Sequence, residues 1–137
     1  GAPVHQVMEG KLMARISNLF RIAAFYNWLV GIPLLIATAP MLAIIGLAAP
    51  EDLTWHRLAA LLIAIFGVVY WIIAPAPSQH RPFIKLAVAG KVSVFLLFAQ
   101  AWNAGFVTSM AFGIAVGDLL FGILFALALR ELAKASH

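Results

Sequence analysis

An ionisable side chain deep in an apolar run costs a few kcal/mol to hold in lipid, so it is kept for a partner, a watery cavity or a ligand. Two residues of this sequence, Lys91 and Asp118, stand in that position. Lys91 follows Lys85 by six residues, about 9 Å further along a helix, and Asp118 precedes Arg130 by twelve, about 18 Å, at 1.5 Å per residue. In contact, the opposite charges would offset the desolvation that each suffers alone. Two neutral polar residues fall at similar depth: Asn27, past Arg21, and Tyr70, before Pro75. Asn27, Tyr70, Lys91 and Asp118 come one each from four apolar runs, which is what a proton- or ligand-binding site in a bundle core requires. The same pattern also describes a structural ion pair that fixes helix register, with Asn27 and Tyr70 as hydrogen-bonding neighbours. A third arrangement has Lys91 snorkelling to the interface and Asp118 protonated. Gly31 and Thr38 fall near the Asn27 face, and Gly113-Ile-Ala-Val-Gly117 is a GxxxG beside Asp118 that would admit a close helix.

Other chemistry has little to work with. The chain has no cysteine, which excludes thiol nucleophiles, Cys-ligated metals and disulfides. His56 and His80 belong to opposite ends of the apolar runs, and His5 and His137 to the chain ends, so no metal or haem site is expected. Ser93, Thr108 and Ser109 have no base at reachable depth, and no phosphate-binding loop, HExxH or carboxylate pair occurs. The expectation is therefore no catalytic residue, no cofactor and no metal.

The elements that must position these four residues follow from composition. Of 137 residues 64% are hydrophobic and 10% charged, and the mean hydropathy is +1.02. Soluble domains carry about a quarter charged residues, so this chain is built for lipid, and its length admits four spans of about 20 residues. The spans read as 19–47, kinked by Pro33 and Pro40 with a break near Pro40 as the alternative, then 55–74, 82–102 and 106–129. Residues 1–18 form an N-terminal tail whose part from Glu9 is an amphipathic, interfacial segment, and 131–137 form a tail. Asp52 or Thr54 is placed to cap span two. Short loops make sequential spans antiparallel neighbours, so the expected fold is all-α: an up-down-up-down four-helix transmembrane bundle. The net charge of +4 would suggest nucleic acid in a soluble chain. Here the cations flank the apolar runs, so the expected partner is the bilayer, with no nucleic acid. Lys11, Arg15, Arg21, Arg81, Lys85, Arg130 and Lys134 share one side and Arg57 the other, which places both termini in the cytoplasm. A short echo, Arg21–Asn27 against Lys85–Lys91, fits an old two-helix duplication.

Tyr26-Asn27 in span one, Gly67-Val-Val-Tyr70 in span two, Gly90-Lys91 in span three and Gly117-Asp118-Leu119-Leu120-Phe121 in span four resemble a group of small bacterial four-span proteins, DoxX-like in architecture. The resemblance covers residues 19 to 130 and implies a bacterial inner-membrane protein with no particular activity. The chain matches small multidrug exporters in size, but span one carries Asn27 and no glutamate, which argues against drug–proton antiport. The leading expectation is an accessory or scaffold subunit of a membrane system, in a homo-oligomer or larger complex. The alternatives are a small oligomeric carrier built around Asp118 and Lys91, and a membrane enzyme acting on a lipid or isoprenoid.

Overall fold

The computed structural model describes residues 3–136. It contains α1 (Val4–Ile36), α2 (Thr38–Ile45), α3 (Thr54–Ile73), α4 (Arg81–Asn103) and α5 (Ser109–Ala135), with a single 3₁₀ turn at Pro77–Gln79. α1, α3, α4 and α5 are each long and apolar enough to cross a bilayer, and only 17–28% of their most apolar windows is buried against the rest of the chain. Leu29, Ile36, Leu97 and Phe106 are among the large side chains left facing outwards. Water would not tolerate that much apolar surface on a monomer. The chain is a small integral membrane protein with an all-α, four-span bundle.

The first span is one long helix followed by a break close to Pro40. α1 is continuous from Val4, so the amphipathic segment and the span form one helix with no boundary at residue 18. It ends at Ala37, whose φ/ψ of −132°/54° leaves the helical region before α2 begins. The cause is Pro40. Its nitrogen has no hydrogen for the Ile36 carbonyl four residues back, and its ring crowds that carbonyl. Pro33 remains inside α1. α2 then ends on Gly46, in the left-handed region at φ 85°, where a side chain would be strained and would strike Thr108. Thr108 Oγ1 donates to the Ile45 carbonyl (2.6 Å) and accepts from Ala111 N (3.2 Å), so one hydroxyl holds the end of α2 and caps α5. That cap corrects the expected start of span four: Phe106 and Val107 lie in the loop, and α5 starts at Ser109. At α3, Asp52 Oδ1 accepts from Thr54 N (2.9 Å) and Thr54 Oγ1 (2.7 Å) from a position just outside the helix, whose N-cap is Leu53. These bonds hold the Asp52 carboxyl below the usual aspartate range. Their contribution is present above that range and fades as the pH falls through the lowered value.

The helices associate as two hairpins. α1 lies along α3, and α4 along α5. Gly31 sets the first pairing: a β-carbon there would stand 2.9 Å from Ala64 N and 3.0 Å from Ala60 O, so the backbones touch. Gly67 gives the Trp28 indole its seat, and Trp28 Nε1 donates to the Ala64 carbonyl (3.1 Å). In the second hairpin, Gly122 packs on Lys91 and Val92, and Arg81 Nη2 donates to the Leu132 carbonyl (2.8 Å). The hairpins meet near the end that carries both termini, around Phe20, Tyr70, Ile73, Ile84 and Phe125, all buried. Phe20 stacks on Phe125 with ring centres 4.6 Å apart, and Tyr70 tilts against Phe125 at 5.3 Å.

Candidate functional site

The four polar residues singled out in the sequence converge: Asn27, Lys91 and Asp118 lie about two helical turns along their helices from Phe20, Ile84 and Phe125, and Tyr70 belongs to both the aromatic core and the cluster. Asn27 on α1, Tyr70 on α3 and Lys91 on α4 are buried, and Asp118 on α5 is mostly so. Lys91 Nζ donates to Asp118 Oδ1 at 2.7 Å and to Asn27 Oδ1 at 2.8 Å. Asn27 Nδ2 in turn donates to the Ile63 carbonyl of α3 at 3.0 Å. One ammonium thus draws on its own hairpin through Asp118 and on the other through Asn27. Lys91 is 5% exposed, so it does not snorkel along the lipid face. The two ends of the sequence echo, Asn27 and Lys91, are bonded to each other.

Aromatic faces complete the environment of the ammonium. Its nitrogen stands 5.1 Å from the Tyr26 ring centre and 5.5 Å from those of Tyr70 and Phe121. Each is within the roughly 6 Å over which a ring quadrupole attracts a cation, an effect that grows when water is excluded. Tyr70 therefore takes part through its ring face.

Tyr26 and Phe121 are members that the sequence reading did not place at the site. Tyr26 lies on the Asn27 turn and leans across to α5, where its hydroxyl donates to the Ile114 carbonyl at 2.6 Å. Gly117 makes this possible, because a β-carbon there would collide with the Tyr26 hydroxyl. The expected close helix at the GxxxG is thus replaced at Gly117 by a tyrosine side chain, while Gly113 has nothing within 4 Å of where its β-carbon would be. Sequence does hold a signal for Tyr26, since it adjoins Asn27 at the same depth. Phe121 had none beyond its spacing of three from Asp118, which puts it on the same face of α5.

The clefts lie elsewhere, at the end that carries both termini. Two adjoining clefts at that end are lined by the first turns of α1, the start of α4 and the last turns of α5, and neither includes any of the four residues. Among the described residues no three His, Asp or Glu side chains come together as a metal-ligand group. What the arrangement can do chemically is hold a paired charge in a largely buried setting, and expose one carboxylate slightly, since the Asp118 side chain is 16% exposed.

The fold and the cluster define a membrane-embedded four-span bundle with a charged lock at its centre. The chain matches no protein-family model, no curated protein and no solved structure.

Proposed function

We propose that this chain is a non-catalytic accessory or scaffold subunit of a bacterial inner-membrane system, with both termini in the cytoplasm. The observation that supports this reading is the saturation of Lys91. Two hydrogen bonds and three ring faces surround its ammonium within the bundle. A buried polar network of this kind fixes register and partner choice rather than performing turnover. The distribution of cations, with Arg57 alone at the end opposite the termini, supports the orientation. Reporters fused after Lys134 are expected to report the cytoplasm, and reporters inserted beside Glu51 the periplasm. The reverse pattern would overturn the orientation.

One observation favours a second reading, a small carrier. Asp118 engages Lys91 through Oδ1 and keeps some exposure, so its carboxylate could take up a proton or meet a lipophilic cation. The two readings part in one experiment on the purified protein. Proton uptake and tetraphenylphosphonium binding are measured for the unaltered chain and for Asp118→Asn. A scaffold shows no binding in either form, and a stoichiometric partner co-purifies from native membranes. Cation binding that Asp118→Asn abolishes would replace the scaffold with the carrier.

A further inference from the structure

At the end of the bundle that carries both termini, α1 and α5 flank an open cleft of about 430 Å³. Lys11 and Arg15, four residues apart on α1, face Lys134 on α5 across it, and Met8 and Leu12 supply apolar wall. Two carboxylates also line it. Glu131 is engaged by Lys134 at 3.5 Å, while Glu9 forms no ion pair among the described residues. Setting that pair aside leaves Lys11 and Arg15 against Glu9, a net positive site. A second, smaller cleft adjoins it across Glu9 and adds Arg81 from α4 to the same end.

Depth decides what could fill this cleft. α1 has 33 residues, about 50 Å at 1.5 Å per residue, against a hydrocarbon core of about 30 Å. Its apolar stretch begins near Leu19, so Met8 to Arg15 stand beyond the hydrocarbon, at the level of lipid headgroups. α5 likewise becomes polar from Arg130, just before Glu131 and Lys134. A cleft with a net positive charge, an apolar wall and a place at headgroup depth fits an anionic lipid headgroup.

We infer that this cleft is a binding site for an anionic glycerophospholipid, its phosphate between Lys11, Arg15 and Lys134 and its upper chain carbons against Met8 and Leu12. Glu9 can accept hydrogen bonds from headgroup hydroxyls, so the carboxylate contributes to the choice of a polyol headgroup. A zwitterionic choline lipid leaves the net positive charge uncompensated and gives Glu9 no donor. The site is separate from the Lys91–Asp118 cluster and holds for either reading of function.

The test uses the full chain in mild detergent, with bound lipid read by native mass spectrometry during titration with phosphatidylglycerol, phosphatidylcholine or free glycerol phosphate. Phosphatidylglycerol is expected to bind at least about tenfold more tightly than either of the others. The Lys11→Gln/Arg15→Gln pair should remove most of that preference, and Lys11→Arg/Arg15→Lys should retain it. Lys85→Gln, at an exposed cation of the same end that lines neither cleft, should leave it unchanged. All three residues altered are exposed, and the thermal midpoint of each variant confirms that it is folded. Equal retention of the lipid in the Gln pair would overturn the site. So would equal loss in Lys85→Gln, which would mean diffuse charge attraction, or equal binding of phosphatidylcholine or of glycerol phosphate.

Discussion

Replacing Lys91 by Met while Asp118 stays in place is expected to destabilise the protein by about 3–5 kcal/mol, the usual cost of stranding one member of a buried ion pair. Asp118→Leu should cost a similar amount, because the ammonium keeps Asn27 and the rings but loses its counter-charge at 2.7 Å. The informative variant is the double one. With both charges gone, an apolar pair fills the space, and the loss should fall well below the sum of the single losses. Unfolding in mixed detergent micelles provides the measurement. Simple additivity would show that the two side chains do not act as a unit.

The second large effect is expected at Gly31. A methyl group there would meet Ala64 N, Ala60 O and the Ile63 Cγ2 at 2.9–3.0 Å. Two of those atoms are helix backbone and cannot swing aside, so α1 and α3 must separate. Gly31→Ala is expected to lose about 1–3 kcal/mol, even after the helix propensity gained. Gly113→Ala provides the contrast within the same protein. Nothing lies within 4 Å of its added carbon, so it should be neutral or stabilising by up to about 1 kcal/mol. Equal stability of the two variants in the same unfolding titration would show that the α1–α3 approach is looser than described.

Lipid makes some sequence features legible and leaves others unreadable. Asn27, Tyr70, Lys91 and Asp118 could be singled out because each interrupts an otherwise apolar run, and depth counted from flanking charges put them on one level. The four spans follow from the same contrast between run and interruption. Finer points depended on competing local signals. Phe106 and Val107 are apolar and so extended the fourth span, although Thr108 carries the helix-capping hydroxyl that moves its start to Ser109. Pro40 was visible, but the break falls at Ala37, because a proline disturbs the carbonyl four residues earlier. The pairing of α1 with α3 and of α4 with α5 could be anticipated from short loops. How the hairpins meet could not. That depends on Gly117 receiving Tyr26 and on Phe20 stacking on Phe125, contacts between residues about a hundred positions apart that no period encodes.

The location of the ion pair within one hairpin bears on how the chain enters its membrane. Lys91 and Asp118 are separated by a single turn of chain at Ala104–Thr108, so they can neutralise each other as soon as α4 and α5 are side by side. The second hairpin can therefore partition into the bilayer with no unpaired charge between its flanking residues, without waiting for the first. Asn27 brings no charge, so the first hairpin can do the same. Docking then forms the Lys91–Asn27, Tyr26–Ile114 and Thr108–Ile45 bonds, at the middle and at the far end of the bundle. The arrangement thereby allows biogenesis in two insertions, neither of which leaves an unpaired charge in the hydrocarbon, followed by a lateral association within the lipid.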